Sequence, residues 1–349
     1  IFYTSGTTGR PKGAVLAHLN LVLNATVNAF DTNQIRCDDV IMGCLPLFHT
    51  FGQSVSMNGS FRAGAALVLQ PRFNPDRAIE IMLAERTTLF LGVPTMYVQL
   101  LEAAGRVGDV ELPKPRYCVS GGAALPVTVL ERFEKAFDTT VYEGYGLSET
   151  SPTASVNQSW YGTKAGTVGH PIWGVDVEIA AEHVEQRIEL LPPGELGEIV
   201  VRGHNVFQGY LDDPTATAQI LIDGWFRTGD IGKRDDQGFI HIVDRKKDLI
   251  IRSGFNVYPR EVEEVLLRHP NVAQVAVVGL RDDERGEEIC AVVIPHDSAT
   301  FDPAELIGWS KDRLGRHKYP RRVEVVSELP LGPSHKVLKR ELRTKFGPK

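Results

Sequence analysis

The sequence predicts an α/β protein: a larger N-terminal part built on a mostly parallel α/β sheet, a small β-barrel-like subdomain attached to it, and a small α+β C-terminal domain. Three observations carry this expectation. Strand-like and helix-like runs alternate from residue 1 to about 160. Between 161 and 244 the texture changes to short alternating strands punctuated by Pro192-Pro193-Gly194 and Gly203. From 245 to 349 two short helices interleave with three β-branched runs.

In chain order, Ile1-Phe2-Tyr3 leads into a Gly/Ser/Thr loop, and Ala14-Val15-Leu16 reads as a short strand. A helix is expected from Asn20 to Phe30. Val40 to Leu45 is a buried-strand pattern that stops at Pro46, and Gly64 to Leu69 is another strand. Pro75 to Arg86 fits a helix with Asn74 as its cap and Pro75 at its first position. Thr88 to Val93 is a strand, Thr95 to Ala104 a helix, Tyr117 to Ser120 a strand and Pro126 to Phe137 a helix. Val175 to Ile179 alternates strictly, and Glu198 to Arg202 is strand-like. Beyond Asp244, Glu261 to Arg268 and Pro303 to Leu314 read as helices, with strands at Val275–Val278, Ala291–Ile294 and Val323–Val326.

At 349 residues the chain has room for two or three domains, with 42% hydrophobic and 23% charged residues, ordinary values for a globular protein. A net charge of −6 argues against nucleic acid or an anionic membrane as partner. Four scattered cysteines with no C-x-x-C suggest neither a zinc site nor a disulfide framework. No apolar run approaches the roughly 18 residues of a membrane span, and no signal peptide is visible, so a cytoplasmic location is the default expectation.

Four stretches carry chemistry. Thr4-Ser5-Gly6-Thr7-Thr8-Gly9-Arg10-Pro11-Lys12-Gly13 combines glycines, which let backbone N–H groups crowd onto an anion, with hydroxyls for phosphate or metal and one mobile cation, Lys12. It is not a Walker A loop, because no Ser or Thr follows the lysine. Ser120-Gly121-Gly122-Ala123 follows a strand, a turn small enough for a flat ring to approach. In Tyr142-Glu143-Gly144-Tyr145-Gly146-Leu147-Ser148-Glu149-Thr150, Tyr145 offers an aromatic face and Glu149 a hard oxygen for Mg²⁺. Gly224-Trp225-Phe226-Arg227-Thr228-Gly229-Asp230 ends in a carboxylate that can accept from both hydroxyls of a ribose. Taken singly, a Gly-rich turn, a solvated loop acid and a core tyrosine are the commoner meanings.

Together and in this order, these stretches closely resemble the adenylate-forming superfamily, the acyl-CoA synthetases, luciferases and peptide-synthetase adenylation domains, and within it the long-chain fatty acid–CoA ligase type. The resemblance covers nearly the whole chain. It implies that Thr4, Ser5, Gly6, Thr7, Thr8, Gly9 and Lys12 hold the phosphates of ATP. It also implies that Gly121, Gly122, Ala123, Glu143, Gly144, Tyr145, Gly146 and Ser148 surround the nucleotide and that Asp230 takes the ribose. Glu149, with Thr4 as a weaker second, would bind Mg²⁺. Leu45-Pro46-Leu47-Phe48-His49-Thr50-Phe51-Gly52 resembles the acyl-pocket motif, with Phe48, His49, Gly121 and Gly146 as its walls. His49 stands where amino-acid-activating relatives usually place Asp, which implies an acid without an ammonium group.

Asp244 to Pro259 resembles the hinge of a mobile lid domain. Arg245 would meet ribose or phosphate, Lys247 would be the pivot, and Gly254 and Phe255 would border the coenzyme A channel. Leu329 to Leu342 resembles the last motif, with Lys336 as the catalytic lysine and His335 where the family usually has Gly.

The activity so implied is ATP-dependent conversion of a small-molecule carboxylic acid, of fatty type, to acyl-AMP with release of pyrophosphate, then acyl transfer to coenzyme A. Lys336, Lys12 and Glu149 are the expected catalytic residues. An enzyme that loads a carrier protein, a luciferase-like oxygenase and a nucleotide-binding but inactive fragment remain as alternatives. In the family a large region precedes the phosphate loop, so the chain, opening at Ile1, is expected to lack it. A homodimer is compatible with the resemblance, and acyl chain length is not legible.

Overall fold

A computed structural model describes residues 1–4, 11–107, 111–332 and 337–347. The chain opens with β1 (Phe2–Thr4) and β2 (Lys12–Val15), which pair antiparallel so that Thr4 faces Lys12. Helix α1 (His18–Val27) follows and runs on into a π-helical turn, Asn28–Thr32. Then come β3 (Val40–Gly43), a π-helical segment Phe51–Asn58, α2 (Gly59–Ala63), β4 (Ala66–Leu69), α3 (Pro75–Ala84), β5 (Leu89–Gly92) and α4 (Pro94–Arg106). β6 (Tyr117–Ser120), α5 (Val127–Phe137), β7 (Val141–Gly146), β8 (Thr153–Val156) and β9 (His170–Pro171) complete a seven-stranded sheet of order β4-β3-β5-β6-β7-β8-β9. Pairing is parallel from β4 through β7 and antiparallel at β8 and β9.

The α/β expectation holds for this sheet, and the reason is local. β5 and β6 are buried along their whole length, as parallel strands covered on both faces must be. Helices α4 and α5 pack over them through Tyr97, Phe133 and Phe137, with Tyr97 edge-on to Phe133 and Phe133 stacked on Phe137. The Asn74 side chain accepts from the Arg77 N–H at 2.9 Å, the cap expected for α3.

The second sheet of this part is antiparallel. It contains β10 (Val175–Ala180), β11 (Gly197–Gly203), β13 (Leu221–Ile222), β14 (Trp225–Arg234) and β15 (Ile240–Arg245), in the order β10-β11-β14-β13 with β15 also on β14. Between them β12 (Gly209–Tyr210) leaves to pair with β2, and α6 (Pro214–Ile220) returns the chain.

The chain divides into two compact units, Ile1–Ile242 and Val243–Lys349. The second holds β16 (Ile250–Arg252), β17 (Phe255–Val257), α7 (Pro259–Leu266), β18 (Val272–Asp282), β19 (Gly286–Pro295), α8 (Pro303–Lys311), β20 (Arg322–Val325) and α9 (Lys339–Phe346). Its sheet runs β17-β16-β19-β18, with β20 parallel to β19.

Several local readings shift. β2 starts at Lys12 rather than Ala14, which puts the lysine on a strand instead of at a loop end. The helix expected over 20–30 begins at His18 and loosens to π geometry at Asn28, where the Asn28 side chain donates to Asn24. The segment 51–58 shows no helical signal in its Gly, Ser and Asn content, yet it is helical because burial of Phe51, Ser54, Val55 and Ser56 overrides weak propensity. The large sheet also continues past residue 160, through β9.

Candidate active site

Three stretches far apart in sequence meet at the start of the chain. β12 lies antiparallel to β2, with Tyr210 opposite Ala14 and Gly209 opposite Val15. Side chains two apart on a strand share a face, so Tyr210 reaches diagonally across Ala14 to Lys12. The Lys12 Nζ lies 4.8 Å from the centre of the Tyr210 ring. The Tyr210 hydroxyl donates to Glu149 Oε1 at 2.8 Å. Phe207 N–H, on the same segment, donates to the Glu149 carbonyl at 2.9 Å. Glu149 therefore sits between two grips, only 7% exposed, on the 3₁₀ turn Ser148–Thr150 that follows β7. It is not a solvated loop acid.

At the other end of that short segment, the Tyr145 hydroxyl donates to Asp230 Oδ2 at 2.6 Å, with both residues buried. The sequence reading of Tyr145 concerned only its ring face; the hydroxyl joins two motifs 85 residues apart. Asp230 follows Gly229, which adopts φ +73° within β14, where the pairing with β11 shifts register. Gly229 N–H donates to Glu198 Oε1 at 3.0 Å. Arg227 makes a two-pronged contact with Glu198 Oε2 through Nε at 3.0 Å and Nη2 at 2.8 Å; Nη2 also donates to the Ala181 carbonyl, and Nη1 donates to the Val184 carbonyl. This ion pair is buried on both sides and holds the irregular stretch of β14 that carries Asp230.

The acyl-pocket motif and the Gly-Gly turn also come together. A Cβ on Gly121 would lie 3.1 Å from the Phe51 ring, and Phe51 N–H donates to His49 Nδ1 at 3.2 Å. Phe48 is 68% exposed. Glu143 is buried, and its Oε1 accepts from Leu125 N–H at 3.0 Å, tying the turn that contains Gly121, Gly122 and Ala123 to β7. Gly144 packs against Val156 in the neighbouring strand. Gly146 has no room for a side chain, since a Cβ would stand 1.8 Å from the Pro152 carbonyl oxygen. Gly146→Ala is expected to cost about 3 kcal/mol of stability as backbone is forced aside. Urea unfolding followed by tryptophan fluorescence checks this, because three of the four tryptophans, Trp160, Trp173 and Trp225, lie in the first unit.

Burial first, and then the Glu149 carboxylate, push the Tyr210 phenol well above its ordinary pKa, so near neutrality it is a donor. Among the described residues no group of three His, Cys, Asp or Glu side chains forms a metal cluster. A single buried carboxylate suits Mg²⁺, which completes its shell with phosphate oxygens and water.

In the second unit Arg245 ends β15, and Lys246 and Lys247 occupy the 3₁₀ turn that follows it. Asp244 Oδ1 accepts from Arg245 N–H at 2.7 Å and its Oδ2 from Arg260 N–H at 2.8 Å. Asp248 pairs with Arg343 at 2.8 Å, and Lys339 with Glu263 at 2.8 Å. Burial opposes the Lys339 charge, but Glu263 and then Asp244 outweigh it and raise its pKa. Helix α9 is thus tied to the turn expected to act as hinge. Gly254 is at the tip of the β16–β17 hairpin, where Ser253 and Gly254 both take positive φ, as a two-residue turn of this kind requires. Phe255, beside it, is exposed and stacks near His317.

Ser5, Gly6, Thr7, Thr8, Gly9 and Lys336 lie outside the described residues. Their flanks are placed: Thr4 faces Lys12, and Leu331 bridges Val337. Tyr210, Arg227 and Glu198 received no role from the sequence. The signal in the sequence is that their runs, Gly209-Tyr210-Leu211, Pro193–Glu198 and Gly224–Asp230, also resemble stretches of the same family.

Residues 1–211 match the family model of the AMP-binding enzymes, and residues 261–336 that of the AMP-binding enzyme C-terminal domain. The chain belongs to the AMP-binding enzyme family. It is 40% identical over 343 residues to a long-chain-fatty-acid–CoA ligase of Bacillus subtilis (strain 168), covering 97% of this chain and 60% of that relative. It is 39% identical over 348 residues to a feruloyl-CoA synthase of an Amycolatopsis species, covering 99% of this chain and 70% of that relative. Among solved structures, ATP-bound MatB from Rhodopseudomonas palustris superposes with a TM-score of 0.90 at 36% identity, covering 99% of this chain and 67% of that one. The o-succinylbenzoate CoA synthetase of Bacillus subtilis, in complex with its acyl-adenylate intermediate, gives 0.84 at 33% identity over 98% of this chain and 68% of that one. The chain thus spans 60% of the length of the fatty-acid ligase it resembles. Among the described residues, no helix is long and apolar enough to cross a membrane.

Proposed function

We propose that the chain carries the nucleotide site of an AMP-forming acid–CoA ligase, which converts a carboxylic acid and ATP to acyl-AMP and pyrophosphate and then passes the acyl group to coenzyme A. One observation carries this reading. The five residues from Tyr145 to Glu149 touch Asp230 at one end and the Tyr210–Lys12 cluster at the other. The carboxylate read as the ribose acceptor and the lysine read as the phosphate cation thus stand at the two ends of one short segment, which supports a single site for a nucleoside triphosphate. The named relatives, ligases and synthases of acyl and aryl acids, support the same chemistry.

A carboxylate acylates poorly because its oxygen leaves badly, whereas AMP is a good leaving group. The first step brings a carboxylate oxygen onto the α-phosphorus and expels pyrophosphate, so it needs positioning and charge neutralisation. Lys12 and the loop Thr4–Gly9 hold the departing phosphates. Asp230 fixes the ribose, and Gly121, Gly122 and Ala123 border the base and the acyl group. Glu149 would hold Mg²⁺, which neutralises phosphate charge when bound. Lys336 bridges carboxylate and phosphate in this step, and Arg245 meets ribose or phosphate. Phe48 and His49 line the pocket of an acid without an ammonium group, of fatty type. Lys247 is the pivot between the two steps, and Gly254 and Phe255 border the thiol path.

The test is mass spectrometry of products after incubation with ATP, Mg²⁺, coenzyme A and a panel of acetate, hexanoate, palmitate, benzoate and coumarate. The expected result is one thioester mass, from hexanoate or palmitate. An aryl thioester would correct the acid class. Acyl-AMP without thioester would point to another acceptor, and neither product would sink the reading for this chain.

A further inference from the structure

The Tyr210 ring is held more tightly than a surface tyrosine on a two-residue strand needs to be. Its strand is laddered to β2 on both sides: Gln208 N–H donates to the Val15 carbonyl at 2.9 Å and Leu211 N–H to the Gly13 carbonyl at 2.8 Å. Phe207 packs edge-on against the ring at 5.1 Å between centres. Ala14, fully buried and directly opposite, is small enough to let the ring lean toward Lys12. Thus fixed, the ring offers its face to the lysine of the phosphate hairpin and its hydroxyl to the acid of the 3₁₀ turn after β7. The cation on the face draws electron density from the ring and strengthens the hydroxyl as a donor. The carboxylate it meets is buried, where a charge-assisted hydrogen bond fixes geometry better than in water.

We propose that Tyr210 is a positioning residue for the metal–nucleotide complex. Its hydroxyl fixes Oε1 of Glu149, so that Oε2 is the oxygen offered to the divalent cation, and its ring sets the Lys12 ammonium beside the same phosphates. This inference rests on the proposed function. It adds that one side chain couples the metal ligand to the phosphate cation, so the two act as a unit and not as neighbours. Because Tyr210 touches neither ribose nor base in this scheme, its influence is confined to ligands that carry the metal and the outer phosphates.

The experiment compares two ligands on the intact chain. Mn²⁺ affinity is measured by electron paramagnetic resonance in the presence of α,β-methylene ATP, which cannot release pyrophosphate, and AMP affinity is measured by calorimetry without metal. Tyr210→Phe keeps the ring and its packing and removes only the hydroxyl. It is expected to weaken Mn²⁺ binding about tenfold, the scale of a lost hydrogen bond to a charged group, and to leave AMP affinity within about twofold. In the Glu149→Gln background the same substitution is expected to add nothing, since the hydroxyl acts through that carboxylate. Unchanged Mn²⁺ affinity in Tyr210→Phe would overturn the inference. So would an equal loss of AMP binding, which would mark a merely structural role, or a full additional loss on top of Glu149→Gln. If the wild-type chain takes neither ligand, the reading of the site itself falls, and this inference with it.

Discussion

Replacing Lys336 with alanine is expected to slow acyl-AMP formation by about 10²–10³-fold and to leave thioester formation from supplied acyl-AMP within about threefold of the starting rate. The two steps differ in the charges they bring together. In the first, an anionic carboxylate must approach an anionic phosphate, and a cation bridging both oxygens is worth most as the new bond forms. In the second, a thiol adds to a neutral acyl carbon and AMP leaves, so no second anion is driven onto the phosphate. A lysine that serves the first approach is therefore dispensable in the second. The substitution leaves the described flanks intact, because the Leu331–Val337 bridge and the Leu338 N–H to Pro330 carbonyl bond use backbone outside position 336. Pyrophosphate release measures the first step, and chromatography of thioester from synthetic acyl-AMP measures the second. Equal loss of both would remove this division of labour and assign Lys336 a role common to the two steps.

The parallel sheet was legible in the sequence because short, largely apolar runs such as Leu89–Gly92 and Tyr117–Ser120, set between turn signals and helical stretches, fit strands covered on both faces. The candidate site was legible as separate pieces. Chemistry-bearing residues such as Lys12, Glu149 and Asp230 stand in ordered runs, and type and order suffice to mark them. What joins the pieces was not legible. Tyr210 is 61 residues from Glu149, and Glu198 is 29 from Arg227; the second pair exists because β11 pairs with β14, and the first because the segment from Phe207 to Tyr210 lies against the Ser148–Thr150 turn. A tyrosine after glycine or an arginine before threonine has no periodicity that announces a partner. Glu143 shows the converse. It lies within the nucleotide motif, yet its carboxylate is bonded to the Leu125 N–H, where it shapes the Gly121–Ala123 turn from behind.

The largest effect on stability is expected from Arg227. Arg227→Met removes the guanidinium paired with the buried Glu198 carboxylate and its bonds to the Val184 and Ala181 carbonyls, which should cost about 3–5 kcal/mol in urea unfolding. Removing both charges, as in Arg227→Met with Glu198→Leu, should recover much of that loss, because an apolar pair of similar volume carries no desolvation penalty. Recovery of stability should not bring recovery of nucleotide binding. Gly229 N–H donates to Glu198 Oε1, and with leucine there the positive-φ residue before Asp230 loses its anchor. The double variant is thus expected to fold well and still bind AMP about tenfold more weakly than the parent, the scale of one lost charge-assisted hydrogen bond acting through Asp230, the proposed ribose carboxylate. Calorimetry with AMP on the refolded double variant decides between two roles. Affinity that returns with stability would make the buried pair a structural element only. Affinity that stays low would make it the support on which Asp230 is aimed.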